Sequence, residues 1–287
     1  MKKILYMVAC MFATLVFSGC NDMDNEPSGT YGEDEFWTSV DKAQYLLNMI
    51  YNQHYSATMM WSDETLSDNL MRTRDYNDER VIRNGNAETT TPIFASTWKN
   101  LYGGIKTANM FLANIDRLKA DPKQINGMKA QARYLRAWMY LRLTEFYGNV
   151  PYFTHELSVA DSKRVARTPH VQIMRALHTE LDSIMPHLPR RDDLTDDQRG
   201  QITCGAAVAL QARAYLYDGD WAKAERYCNM LISQQEKYGH YSLFPNYAAL
   251  FTQEAEYNEE IIADCEYAPK VRVWEDMFNM APLSVGA

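Results

Sequence analysis

Aromatic and planar polar side chains occur together between residues 56 and 97, where hydrophobic periodicity is weak. Trp61, Asp68, Arg72 and Tyr76 lie in this stretch. An aromatic ring can stack on the apolar face of a sugar or peptide, while a carboxylate and a guanidinium hydrogen-bond its polar groups. We therefore expect these four residues to contribute to a ligand-binding site. The alternative is a surface loop held by Asx turns around one buried Trp.

Trp98, at the predicted start of the next helix, is a fifth candidate for ligand binding. Its indole could stack on a sugar ring. The same residue also continues an apolar face that includes Leu101, Tyr102 and Ile105 at helical spacing, so packing against the core is the alternative.

Residue spacing gives little support for catalysis or metal binding. The 287 residues contain no G-x-S-x-G elbow, P-loop, H-E-x-x-H motif or dinucleotide fingerprint. His170 and His178 share a predicted helix face without an evident third ligand, and no paired C-x-x-C spacing occurs. We predict no catalytic residues, no metal and no cofactor. Two carboxylates flanking a cleft suffice for a glycosidase, so a glycoside hydrolase stays an alternative.

The first twenty residues have the three regions of an export signal. Two lysines precede an apolar run over residues 4–17, and a Ser-Gly pair precedes Cys20. This run is too short for a comfortable membrane span. The small residues ahead of Cys20 favour lipoprotein processing, in which the Cys20 thiol is lipidated and residues 1–19 are removed. An ordinary secretory signal with a chance cysteine is the alternative.

The chain is acidic, and acidic residues follow Cys20 closely. The net charge is −8, so a nucleic-acid partner is not expected. Asp22, Asp24 and Glu26 resemble the tag that exports some Gram-negative lipoproteins to the outer face of the outer membrane. The alternative is a solvated, flexible tether. Once residues 1–19 are removed with Cys10 and Cys20 is lipidated, three cysteines remain, and this odd number argues against a disulfide framework.

The element that must position these residues is a predicted helix from residue 130 to 147, stopped by Gly148 and Pro151. Most of its circumference is apolar, which predicts a central place in a helix bundle. Arg142 falls on the apolar side, where an unpaired charge would be costly, so it needs a carboxylate or carbonyl partner. Glu145, three residues further on, is one candidate. We predict a single solvent-facing strip, which consists of Lys129, Arg133, Arg136, Tyr140 and Thr144.

Two segments of this region, ARYLRAW at 132–138 and YGNVP at 147–151, resemble the signature of the SusD/RagB family of surface lipoproteins. The helix that begins at Trp98 is similar to a second helix of that family. Residues 202–235 carry the spacing A-x2-Y-x3-G-x-W-x2-A, typical of a tetratricopeptide hairpin. The resemblance extends from the lipoprotein signal to about residue 267.

The resemblance implies a mainly α fold of tetratricopeptide-like stacked helix pairs, with long irregular loops and little β-structure. We expect residues 1–19 to be the signal peptide and residues 20–35 a flexible acidic tether. Residues 36–287 would form the SusD-like helical domain. We expect this domain to be incomplete at its C-terminal end, because family members are longer than this chain.

The resemblance also implies a function. Such a protein is lipid-anchored in the outer membrane, faces the exterior, binds a nutrient and delivers it to a SusC-like TonB-dependent transporter. We expect a glycan or oligosaccharide as the nutrient, with a peptide as the alternative ligand. Two other functions stay open: a helical scaffold without a small-molecule ligand, and a glycoside hydrolase.

Overall fold

The computed structural model describes residues 36–70, 77–267, 270 and 273, and its regular elements are helices. The α-helices are α1 (Val40–Asn52), α2 (Ala57–Thr65), α3 (Asn77–Arg83), α4 (Pro92–Asn114), α5 (Pro122–Tyr147), α6 (Val159–Ser162), α7 (His170–Ile184), α8 (Cys204–Tyr217), α9 (Trp221–Ser233) and α10 (Gln235–Tyr238). Among the described residues, β-pairing is limited to an isolated bridge between Val150 and Thr168. The predicted mainly α fold is confirmed.

Helix α5 is the central element of the unit that begins at Trp37. It packs against α1, α4, α7 and α8. Arg136 meets Glu180 and Thr144 meets Met174, so α5 and α7 run antiparallel. Leu135 in the middle of α5 is fully buried. The predicted central position of this helix is confirmed.

None of the helices in the described ranges is long and apolar enough to cross a bilayer.

The ends of α5 follow from local sequence. The Asp121 side chain accepts a hydrogen bond from the Lys123 N–H, and Pro122 occupies the first turn, so the helix begins eight residues before residue 130. At the other end Gly148 takes a φ of 66°, which favours glycine, and its N–H donates to the Thr144 carbonyl at 2.9 Å. The predicted stop at Gly148 is confirmed.

The predicted solvent-facing strip of α5 is wrong. Lys129 and Arg133 are partly exposed, but Arg136, Tyr140 and Thr144 are buried. Helix α7 and residues 150–155 cover this face, and the Tyr140 hydroxyl donates to the Phe153 carbonyl at 2.7 Å. The prediction failed because polar groups can be buried when partners satisfy their hydrogen bonds, and those partners are distant in sequence.

Helices α8 and α9 form the predicted tetratricopeptide-like hairpin and pack closely against each other. Gly219 turns the chain between them with a φ of 75°. Ala212 and Ala224 are buried where the two helices approach. Because α8 also packs on α7, successive helix pairs stack side by side, as the fold prediction requires.

The stretch from residue 56 to 97 is more ordered than its weak periodicity suggests. It contains α2, the described helix α3 and the first turn of α4. The Ser56 side chain caps α2 by accepting a hydrogen bond from the Met59 N–H at 3.1 Å. Weak hydrophobic periodicity in this stretch therefore does not mean that helices are absent from it. Helices of nine and seven residues are too short to show a periodicity that needs 11 or more residues.

Candidate functional site

The structure places two of the four ligand-binding candidates in or after α2. Trp61 lies on α2, although its side chain is outside the described part of the structure. Asp68 is exposed in the turn that follows α2. Arg72 and Tyr76 fall within residues 71–76, outside the described residues. Their proposed role in ligand binding stays a prediction.

Helix α2 is fixed to α5 by a cluster of three charged side chains, the Arg142 cluster, which consists of Asp63, Arg142 and Glu145. Arg142 donates from Nη2 to Asp63 Oδ1 at 2.7 Å and from Nη1 to Glu145 Oε2 at 2.8 Å. The side chains of all three are at most 31% exposed. The predicted need of Arg142 for a carboxylate is confirmed, with Glu145 as the predicted partner and Asp63 as a second one.

Burial governs the electrostatics of the Arg142 cluster. Burial raises the pKa of Glu145 above its usual range, and this effect outweighs the opposing attraction of Arg142. Burial alone would lower the pKa of Arg142, but Asp63 and Glu145 together raise it. The guanidinium therefore stays charged and holds the two carboxylates in place. This fixes α2, and with it Trp61, on the last turns of α5.

An aromatic group lies beside this cluster. The Tyr55 ring, just before α2, is half-buried and meets Trp138 of α5 edge-on, with 6.0 Å between the ring centroids. Trp138 is 5% exposed and also contacts His54 edge-on at 4.3 Å. Burial, reinforced by the charge of Asp63, raises the pKa of Tyr55, so its hydroxyl stays protonated at neutral pH. The surface around α2 thus combines an aromatic ring with charged hydrogen-bonding groups.

Trp98 belongs to a second aromatic group. It lies in the second turn of α4 and not at its start, because Pro92 begins that helix. Its ring centroid is 4.8 Å from that of Tyr102 and 5.1 Å from that of Tyr147 at the end of α5. The Tyr147 hydroxyl donates to the Phe94 carbonyl at 2.6 Å. Trp98 is half-buried, so packing accounts for part of its surface, while its proposed contact with a sugar stays a prediction.

The two groups of candidates attach to the same end of α5. Arg142 holds α2, and Tyr147 contacts Trp98 five residues later, about 7.5 Å further along the helix axis. Asp63, Arg142 and Glu145 were not among the residues predicted for the site. The sequence did indicate that Arg142 has a buried partner, because it carries a charge on an otherwise apolar helix face. The distance of 79 residues to Asp63 concealed its main partner.

Metal-binding geometry is absent from the described residues, where no group of three His, Cys, Asp or Glu side chains could hold an ion. His170 and His178 do share a helix face, as predicted. Their Nε2 atoms lie 3.7 and 3.5 Å from the carboxylate oxygens of Asp218. His178 is held by Gln211 through Nδ1 at 2.6 Å, and its ring stacks on Tyr215. These contacts give the histidines a structural role between α7 and α8.

Comparison with protein families identifies the fold. Residues 25–216 match the model of a SusD-like family described as starch-binding and associating with the outer membrane. The chain belongs to this SusD-like family. The match covers the two segments at residues 132–138 and 147–151 and both groups of ligand-binding candidates, and it confirms the resemblance inferred from sequence.

Individual relatives agree with the family match. A SusD-like protein of Formosa agariphila is 29% identical over 180 residues, which are 62% of this chain and 33% of the relative. A SusD-like carbohydrate binding protein of Bacteroides fragilis has a crystal structure with 25% identity and a TM-score of 0.67, covering 75% of this chain and 44% of that one.

A third relative shares the fold. Surface glycan-binding protein A of Bacteroides thetaiotaomicron, solved in complex with laminarihexaose, is 22% identical with a TM-score of 0.66. The match covers 80% of this chain and 50% of that one. The chain therefore spans about half of the solved structures it matches, and a third of the Formosa relative.

Proposed function

We propose that the protein is a cell-surface lipoprotein that binds a glycan and delivers it to a TonB-dependent outer-membrane transporter. The observation that carries this proposal is the match of residues 25–216 to a starch-binding family associated with the outer membrane. The layout of residues 1–20 supports a lipid anchor at Cys20. The carbohydrate-binding and laminarihexaose-bound relatives support a glycan as the ligand.

The proposed glycan site lies on the surface formed by α2, the residues that follow it, and the end of α5. Trp61, Tyr76 and Trp98 would present aromatic faces to the sugar. Asp68 and Arg72 would hydrogen-bond its hydroxyl groups. The Arg142 cluster supports this arrangement because it anchors α2 to the central helix through two charge-assisted hydrogen bonds.

The proposed docking face for the transporter is the α8–α9 hairpin. Leu216, Tyr217, Trp221 and Ile232 of this hairpin are between 47% and 70% exposed. Large apolar side chains at an exposed surface are typical of protein interfaces. The hairpin leaves α2 free for the ligand, so capture and docking would use separate surfaces.

Single substitutions separate the two activities. Trp61→Ala, Asp68→Ala and Arg72→Ala should lower glycan uptake by cells while leaving association with the transporter intact. Asp196→Ala, which removes a 91% exposed carboxylate in the loop before α8, is the matched control for Asp68→Ala and should change neither. If all three site variants kept the parent's glycan affinity in a folded complex, the residues around α2 would be structural only.

The same experiment tests the two alternative functions. A helical scaffold without a small-molecule ligand would show transporter or protein association but no glycan affinity. A glycoside hydrolase would shorten the added oligosaccharide, which chromatography of the reaction mixture would reveal. We expect the glycan to be recovered unchanged, in line with the match to a family described as starch-binding.

A further inference from the structure

A second cleft lies between α5 and α7, beside residues 152–154, and is distinct from the surface around α2. Its volume is about 590 Å³, within the range of small-molecule sites. The lining of this α5–α7 cleft includes Arg133, Arg136, Tyr152, Gln172, Arg175 and Glu180. None of these residues entered the sequence-based site predictions.

Arg136 is the most deeply placed of them, with 5% of its surface exposed. Its Nη1 donates to Asn109 Oδ1 at 2.6 Å and to the Thr154 carbonyl at 3.2 Å. Its Nη2 donates to Glu180 Oε1 at 2.5 Å. The remaining Nε–H is buried and has no hydrogen-bond partner among the described residues. Both Nη atoms are therefore engaged in contacts within the protein, and the guanidinium contributes its positive charge to the wall of the cleft.

Positive charge exceeds negative charge in the cleft. Glu180 Oε1 accepts hydrogen bonds from both Arg133 Nε at 3.0 Å and Arg136 Nη2, so one carboxylate serves two guanidinium groups. Arg175 adds a third guanidinium, which is exposed and has no ion pair or side-chain hydrogen bond within the described residues. The excess favours a ligand that carries a negative charge, and guanidinium groups suit planar or tetrahedral oxyanions.

Tyr152 adds an aromatic surface and a donor. Its ring packs against Tyr140 with 4.7 Å between centroids, which fixes its orientation. Burial, followed by the nearby charge of Glu180, raises the pKa of Tyr152 to about 12. The hydroxyl therefore stays protonated at neutral pH and can donate to a ligand oxygen. An oriented ring beside guanidinium groups matches a sugar that carries an acidic substituent.

We propose that the α5–α7 cleft binds an anionic saccharide, one that carries a carboxylate or a sulfate ester on the sugar ring. Arg175 holds the charged group, and the positive charges of Arg133 and Arg136 favour its binding. Tyr152 lies against the ring, and Glu180 and Gln172 accept hydrogen bonds from hydroxyl groups. This site goes beyond the proposed glycan site around α2, which needs no charge on its ligand.

Isothermal titration of the full chain in detergent micelles tests the proposal. The probes are tetragalacturonate, its neutral methyl ester, a sulfated tetrasaccharide and laminarihexaose. We expect at least one of the two acidic probes to bind the cleft. If tetragalacturonate binds, its methyl ester should bind at least about tenfold more weakly, because the ester lacks the charge-assisted hydrogen bonds of the carboxylates. The two acidic probes distinguish a carboxylate from a sulfate ester.

Variants locate the binding in the cleft. Arg175→Gln should weaken the acidic probe about tenfold, since it removes an exposed guanidinium without breaking a described contact. Arg226→Gln, an exposed arginine of α9 that does not line the cleft, is the matched control and should bind like the parent. Tyr152→Phe should also weaken binding while retaining the packing on Tyr140.

Several results would overturn the proposal. The first is that neither acidic probe binds. The second is that tetragalacturonate and its methyl ester bind equally well while the sulfated tetrasaccharide does not bind. The third is that the Arg175→Gln variant binds the acidic probe as tightly as the parent does. Acetate or sulfate ions binding as tightly as the oligosaccharides would show a simple anion site instead. If Trp61→Ala abolished laminarihexaose binding while both acids failed to bind the parent, the proposed function would stand and the cleft proposal would fall.

Discussion

Neutralising Glu180 should destabilise the fold strongly, because one carboxylate on α7 holds two arginines of α5. Glu180→Gln keeps the size of the side chain and removes its charge. Arg136 would then lose its ionised partner while only 6% of its side chain is exposed. Arg133, at 34% exposure, is better hydrated and should contribute less.

The size of the effect follows from burial. Breaking a buried ion pair by removing one partner costs about 3–5 kcal/mol, since the remaining charge is left without compensation. In an Arg136→Met background the same Glu180→Gln change should cost much less, because the buried positive charge is already absent. The difference between the two costs measures the coupling between Arg136 and Glu180.

Urea unfolding followed by circular dichroism measures these free energies. The control is Lys129→Ala on the same helix, which breaks an ion pair with Asp116 whose side chain is 71% exposed. That substitution should cost less than about 1 kcal/mol. If Glu180→Gln unfolded at the same urea concentration as Lys129→Ala, the Arg136–Glu180 pair would not be a buried, stabilising contact, and α7 would not pack on α5 through this pair.

Three further predictions concern the core, the pH dependence and the anchor. Trp138→Ala should lower the free energy of unfolding by about 3–5 kcal/mol, because it removes a 95% buried indole and leaves a cavity. Urea unfolding, with Lys129→Ala as the control, measures this cost. An unchanged midpoint of unfolding would show that α5 is peripheral. Burial raises the pKa of Tyr51, Tyr134 and Tyr140 above the ordinary 10.0, so stability should be full below pH 10 and fall as the pH rises further. Absorbance at 295 nm should then show these tyrosines ionising together with unfolding, and early ionisation in a folded chain would contradict their burial. Cys20→Ala should abolish lipid attachment and signal removal, as followed by membrane fractionation and intact mass; a processed, membrane-bound variant would refute the lipoprotein assignment.

The sequence predicted the helical scaffold well, because long helices show their periodicity and their stop signals locally. The position of α5, its end at Gly148 and the α8–α9 hairpin with Gly219 at its turn follow from such signals. Helices α2 and α3 escaped detection because each is shorter than three turns. Their stability depends on caps and on tertiary contacts such as Asp63 with Arg142.

The sites were harder to predict than the fold. Arg142 showed that a buried charge needs a partner, yet nothing local identified Asp63, 79 residues away. Arg136 was assigned to a solvent-facing strip, because a helical wheel assigns polar residues to solvent unless their partners are known. Its partners Asn109 and Glu180 come from α4 and α7, so the α5–α7 cleft exists only in the folded chain.

The most direct test of the account is whether the full chain, purified in detergent from outer membranes, binds a glycan and carries a transporter with it. We predict binding of at least one oligosaccharide from a panel that includes starch and laminarin fragments. We also predict a TonB-dependent transporter among the co-purifying proteins, identified by mass spectrometry. Trp61→Ala and Asp68→Ala should lose glycan affinity and retain the transporter. A chain that binds no glycan in the panel and purifies without such a transporter would contradict the proposed function.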